Sequence, residues 1–234
     1  MFRLIRLLNT SIGKKLLMAV TGTLLLLFVI GHLIGNLTIF MSQNALNSYA
    51  HWLQVNPMLW PVRLGLIFIL LLHIYTAVKL TRSNQHARRT RYQKSGFHHS
   101  LFFSKHIVFS GLGVLLFIIF HINHLTLGNG ISELLPYLDP KGNPDIYGRV
   151  IHTFSTPLYP LLYLLGLIVL GFHLNHILRG VFQSLGFYHD NYAPFLDFLA
   201  PALTAIMVIG FALIPLAALS GLLTPTIVLP PYGP

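Results

Sequence analysis

Residues 16–40 read LLMAVTGTLLLLFVIGHLIGNLTIF, twenty-five positions without one Asp, Glu, Lys or Arg. A helix needs about 20 mostly apolar residues to cross the hydrocarbon core of a bilayer, and this stretch exceeds that length. It does so while carrying a histidine, His32, well inside it. Four further stretches repeat the pattern, at 62–80, 107–127, 158–178 and 202–223, with interiors free of acidic residues, lysine and arginine. The expected fold is an all-α integral membrane protein of five transmembrane helices in one domain. Between the stretches lie polar turn sequences such as Gly128-Asn129-Gly130 and Asp139-Pro140-Lys141-Gly142-Asn143-Pro144. Pro61, Pro157 and Pro201 are expected just before a helix or in its first turn, where a missing N–H costs least.

Composition agrees with that reading. The chain has 234 residues, 54% hydrophobic and only 9% charged, with a mean hydropathy of +0.70. Average chains carry about 25% charged residues, so a water-facing surface cannot be tiled here, and a disordered chain is excluded as well. The absence of cysteine removes disulfide frameworks, thiolate metal sites and iron–sulfur clusters bound by this chain. The first apolar run outlasts the 7–15 residues of a signal-peptide core, and no small-x-small cleavage pattern follows it, so it reads as a retained anchor. The connections are short. Any chemistry is expected within the membrane or on a docked partner.

Orientation follows from lysine and arginine. Arg3, Arg6, Lys14 and Lys15 precede the first segment, seven more lie between Lys79 and Lys105, and Arg179 ends the fourth segment. The opposite side holds Arg63, Lys141 and Arg149 beside Glu133, Asp139 and Asp145. The basic side belongs in the cytoplasm, which places the amino terminus inside and the carboxyl terminus outside. The net charge of +10 is thus mainly a topology signal. Nucleic acid is not an expected partner, because the basic residues flank membrane segments.

Histidine is over-represented: thirteen, against five acidic residues. His32, His73, His121 and His173 each lie in the apolar part of a different one of the first four segments, and the fifth has none. Ionisable residues inside membrane helices are costly and point to function. At about 1.5 Å per residue, His32 and His121 lie ~24 Å and ~21 Å from the cytoplasmic edge, and His73 and His173 ~10 Å and ~8 Å. Two layers result, His32 with His121 towards the outside and His73 with His173 towards the inside. Facing pairs of neutral imidazoles in a four-helix bundle suit haem iron, so two haems stacked across the bilayer are expected. Gly31, Gly35, Gly111, Gly113 and Gly171 accompany these histidines. They fit close approach of a flat macrocycle or ordinary small-residue helix packing.

A proton relay competes with this reading, but relays usually recruit carboxylates, and these segments have none. Zinc is disfavoured without carboxylate or thiolate help. His124 and His176 sit three residues after His121 and His173, on nearly the same helix face. Either can replace its neighbour as ligand; their positions nearer the membrane edges suit haem propionates or a quinone headgroup better. His86, His98, His99, His106 and His189 read as loop residues among the cytoplasmic arginines.

Taken in order, the strings Gly31-His32-Leu33-Ile34-Gly35-Asn36-Leu37, Asn47-Ser48-Tyr49-Ala50-His51, Leu72-His73-Ile74-Tyr75, Phe120-His121, Phe172-His173-Leu174-Asn175-His176 and Phe182-Gln183-Ser184-Leu185-Gly186 resemble the single-chain, two-haem cytochrome b anchor of succinate:quinone oxidoreductases and fumarate reductases. The resemblance covers essentially the whole chain. It implies two b haems, His32 and His121 as axial ligands of the outer and His73 and His173 of the inner. It also implies a flavoprotein and an iron–sulfur subunit docked on the cytoplasmic face of a bacterial-type inner membrane. Electrons would pass between the iron–sulfur subunit and a membrane quinone, often menaquinone in this family, in either direction.

One departure stands out. Some members carry carboxylates at the outer end of the bundle, whereas this chain has no Asp or Glu before Glu133 and offers His51 and Gln54 in the connection after the first segment. His51 has an ordinary pKa of about 6.5, suited to proton handling at a quinone site. It also suits a plain loop contact. Trp52 and Trp60 read as interfacial anchors. The rival functions are a two-haem anchor of a hydrogenase or formate dehydrogenase, and a transporter or proton channel built on a histidine relay.

Overall fold

The computed structural model describes residues 10–86, 99–132, 137–186 and 188–224. Among them the chain is helical, with no strand, and five helices are long and apolar enough to cross a membrane. These are α1 (Ser11–Leu37), α3 (Leu59–His86), α4 (His99–His121), α6 (Leu158–Ser184) and α7 (Ala193–Leu219). Two shorter helices, α2 (Gln43–Val55) and α5 (Ile146–Ser155), lie in the connections that follow α1 and precede α6. Arg3, Arg6, Glu133, His98 and most of the basic connection before Lys105 lie outside the described residues, as do the side chains of His99, Lys105, His106, His176 and Arg179.

Local chemistry sets the ends. Thr10 caps α1 by accepting from the Gly13 N–H at 3.0 Å, Ser42 caps α2 through the Ala45 N–H at 3.0 Å, and Asp145 caps α5 through the Gly148 N–H at 3.0 Å. α6 and α7 stop at Gly186 and Gly221, whose φ of 80° and 75° an L side chain rarely adopts. Inside the spans, Thr23, Thr76 and Thr204 turn their hydroxyls back to the carbonyl four residues earlier at 2.7–2.9 Å. That leaves no hydroxyl proton unsatisfied in lipid.

The expected boundaries are extended at most ends, and one expectation fails. Pro61 and Pro157 sit at helix starts, but Pro201 lies inside α7, as does Pro215. α7 begins eight residues earlier, with Pro194 in its first turn. The stretch Ala193–Ala200, mostly apolar but for Asp197, is long enough to add two turns, and a proline-broken hydrogen bond is tolerated where neighbouring helices shield the backbone.

α6 packs along α7 and α4, while α3 packs chiefly on α1. Most of the large apolar side chains on these helices, including Leu24, Phe68, Phe109, Leu161 and Ile206, face outwards, as a lipid-facing surface requires. One buried cluster, at the end of the bundle where α2 and α5 sit, joins Ile39, Leu46, Tyr147, Ile151, Phe154, Tyr163, Ile214 and Ala218. A second joins Leu33 of α1, Leu174 of α6 and Met207 of α7.

Close helix contacts depend on glycine. A Cβ on Gly35 would fall 2.5 Å from the Tyr49 ring, and one on Gly166 would overlap the Phe117 ring. Gly166→Ala is expected to cost about 1–3 kcal/mol, the usual penalty of overpacking, and to lower the thermal midpoint in detergent. An unchanged midpoint would show that Phe117 moves aside freely.

Candidate functional site

Helix length places the four intramembrane histidines in register. His32 is 21 residues beyond the start of α1 and His121 is 22 beyond the start of α4. His73 and His173 precede the ends of α3 and α6 by 13 and 11 residues. All four rings are half-buried.

His32 and His121 come together, with ring centroids 5.9 Å apart and planes at 86°. Two imidazole nitrogens bonded to one metal at about 2 Å each would separate the centroids by roughly 6 Å, so this spacing suits a shared metal. Phe28 stacks on His32 at 5.5 Å, Phe211 of α7 flanks it at 5.8 Å, and Phe117 stands 6.1 Å from His121. The Asn36 amide donates to the His32 carbonyl at 2.7 Å and lies 3.3 Å from Nδ1 of that ring.

The other two histidines are held by hydroxyls on neighbouring helices. Nδ1 of His73 is 3.1 Å from Thr21 Oγ1 on α1, and Nδ1 of His173 is 3.2 Å from Ser110 Oγ on α4. Beside each hydroxyl is a glycine that the imidazole lies against. A Cβ on Gly22 would meet Cε1 of His73 at 3.4 Å, and one on Gly111 would meet Cε1 of His173 at 3.3 Å. Gly22 also faces Ile177 of α6 at 3.8 Å, so α3 and α6 converge on the same spot of α1.

Thr21 and Ser110 are the residues that the histidine count alone misses. A signal for them is present. Thr21-Gly22 precedes His32, and Ser110-Gly111 precedes His121, by the same eleven residues, with Phe28 and Phe117 each four before the histidine. Among the other glycines, Gly35 packs on Tyr49, Gly113 on Val169 and Gly171 on Val208, while Gly31 meets nothing within 4 Å. Gly35, Gly113 and Gly171 follow the helix-packing reading, and Gly31 makes neither kind of contact. Gly111 alone of the expected set touches one of the four histidines.

His124 stands apart from His121. A single turn of π-helix, Ile122–Thr126, widens the backbone after His121, a feature frequent at functional sites. It directs His124 to α6, where the ring stacks on Tyr159 at 4.4 Å and Nδ1 meets the Tyr163 hydroxyl at 3.1 Å. The ring is buried, and its Nε2 has no hydrogen-bond partner. Tyr163 also stands 5.9 Å from His121, so His124 lies one aromatic ring away from the His32–His121 pair. His51, Trp52 and Gln54 are exposed on α2, Trp60 is exposed at the start of α3, and Arg63 lies over the Trp60 ring. A groove of about 330 Å³ between α6 and α7, lined by Phe172, Asn175, Pro201 and Thr204 among others, holds another buried polar atom without a partner, Asn175 Oδ1.

Among the described residues no three histidine, aspartate or glutamate side chains gather to hold a bare metal ion. One facing pair of histidines, His32 and His121, with an aromatic lining fits a metal whose remaining ligands come with a planar macrocycle. Comparison with family models, with curated proteins and with solved structures finds no match to the chain.

Proposed function

We propose that the chain is the membrane anchor and electron-transfer subunit of a succinate:quinone oxidoreductase, a succinate dehydrogenase or fumarate reductase. His32 and His121 would hold one b haem, and His73 and His173 a second. The observation that supports this reading is four histidines on four different helices, one pair 5.9 Å apart and the other two rings each seated on a glycine beside a hydroxyl.

Haem, when bound, supplies one-electron carriage. The protein's part is to hold the imidazoles neutral and oriented and to keep water from the metal. Phe28, Phe117 and Phe211 around His32 and His121 serve the second, while Thr21 and Ser110 contribute to the first. His124, with its unpartnered Nε2 beside Tyr159 and Tyr163, is placed to hydrogen-bond a propionate or a quinone oxygen. His176, His51 and Gln54 are retained as further contacts of that kind. The partners are a flavoprotein and an iron–sulfur subunit on the cytoplasmic side of a bacterial-type inner membrane, with membrane lipid and a quinone, menaquinone by family habit.

The test is purification of the assembled membrane complex. Two soluble subunits should copurify, and succinate should reduce a b-type α-band that a quinone reoxidises. A b-type band indifferent to succinate, with a partner on the opposite face, would favour the hydrogenase or formate dehydrogenase anchor. No α-band at all would leave the histidine-relay transporter as the better reading.

A further inference from the structure

We infer that Thr21 and Ser110 are positioning residues that fix the tautomer of His73 and His173, so that each ring presents the lone pair of Nε2 as its metal-binding atom. This rests on the two-haem reading above and extends it to side chains that bind no metal themselves.

Proton counting on two hydroxyls carries the inference. A hydroxyl has one proton to donate and two lone pairs to accept with. Thr21 Oγ1 lies 2.8 Å from the Leu17 carbonyl, 3.2 Å from the Met18 carbonyl and 3.1 Å from Nδ1 of His73. A carbonyl cannot donate, so the short contact to Leu17 uses the hydroxyl proton. Thr23, Thr76 and Thr204 make the same backbone bond at 2.7–2.9 Å. What remains on Thr21 is a lone pair, and a bond to it requires the proton on Nδ1 of His73. Ser110 repeats the arrangement, with Oγ 3.0 Å from the Ile107 carbonyl and 3.2 Å from Nδ1 of His173.

With Nδ1 protonated in a neutral ring, Nε2 carries the lone pair. The opposite tautomer would leave Nδ1 competing for a proton that the helix carbonyl already holds. Metal-bound histidines are commonly oriented in this way through their second nitrogen. Gly22 and Gly111 complete the device: a Cβ would crowd Cε1 of His173 at 3.3 Å and reach Cε1 of His73 at 3.4 Å, the carbon between the two ring nitrogens. The same hydroxyl–glycine pair occurs on two separate helices at the same distance before a histidine. Chance placement of one hydroxyl does not account for both.

The experiment compares Thr21→Val and Ser110→Ala with Thr21→Ser in the purified complex, reading haem content and the midpoint potential of each haem. Losing the acceptor at Nδ1 weakens the ring as an electron donor and favours ferrous iron. The haem held by His73 and His173 should therefore move to higher potential. A tenfold change in its ferric-to-ferrous affinity ratio reads as about 59 mV for one electron. The other haem should stay in place, and Thr21→Ser should restore the wild-type value. If Thr21→Val instead empties that site while Thr21→Ser fills it, the positioning role is equally supported. Unmoved potentials in both Thr21→Val and Ser110→Ala would overturn it, as would a Thr21→Ser variant that behaves like Thr21→Val. A wild-type complex without haem would sink the two-haem reading and this inference together. A two-haem complex with unmoved potentials would sink this inference alone.

Discussion

His173→Ala is expected to halve the haem content of the purified protein, removing one b haem and leaving the other spectrally intact. His173 lies on α6 with Nδ1 engaged by Ser110 of α4, eleven residues from the end of its helix. The pair formed by His32 and His121 is a separate contact between α1 and α4, with Phe28, Phe117 and Phe211 around it. No residue of that lining is lost in the variant. His73→Ala should give the same half-loss, and His32→Ala the complementary one. The double variant His32→Ala/His73→Ala should bind none. Haem assay and low-temperature spectra of the four variants read this directly. Loss of both haems from His173→Ala, or of neither, would show that the histidines do not act in the layers assigned to them.

The second large effect is on stability. Asp145→Ala is expected to cost about 3–5 kcal/mol, the range for breaking a buried charged network by removing one member. Asp145 and Asn47 are 1% and 0% exposed, which puts the full desolvation cost on any group left unpaired. Oδ1 of Asp145 accepts from Gln43 Nε2 at 3.2 Å, Asn47 Nδ2 at 2.8 Å and the Gly148 N–H at 3.0 Å. Asn47 completes a clamp between α2 and α5 by accepting the Tyr147 N–H at 2.8 Å. The carboxylate is felt nearby: together with burial it pushes the Tyr147 phenol up, and it opposes the downward pull of burial on Arg149. For a chain of this size each kcal/mol moves the thermal midpoint by about 2–4 °C. A fall of at least ~6 °C in detergent is therefore expected, with Asp145→Asn intermediate because the amide oxygen can still cap α5. A midpoint unchanged by Asp145→Ala would mean that the clamp is not holding this end of the bundle.

Asp145 also marks where the sequence stops being readable. The five crossings were legible because length and apolarity alone decide them. Depth arithmetic likewise needs only the rise per residue, and of the pairs it suggested the structure brings His32 and His121 within 5.9 Å. By contrast, α2 and α5 are short and carry polar faces, so no apolar run announces them. The order of residues suggested that the connection after α1 lacked a carboxylate. Folding brings Asp145 from 98 residues away onto Asn47 of that connection, a contact that pattern reading cannot supply. Pro201 misled because a proline marks a helix start only when the preceding residues cannot extend the helix, and Ala193–Ala200 can.

The histidine neighbourhood divides in the same way. Thr21 and Ser110 could have been found from their repeated spacing, but a hydroxyl in a membrane helix usually bonds only its own backbone, which hides a second role. The aim of His124 was not legible, because helical spacing puts it near the face of His121 and a π-turn redirects it. His51 and Gln54 lie on α2 at the same end of the bundle as His124 and Asp145 yet remain exposed, so the fold builds no closed site around them.

The most direct test of the two-haem claim is the haem-to-protein ratio of the purified wild-type chain, read with its reduced-minus-oxidised spectrum. Two b-type haems per chain, with an α-band typical of paired imidazole ligands, are expected. A chain that folds and carries none would contradict the claim at its root, and a ratio of one would contradict the division of His32, His73, His121 and His173 into two pairs.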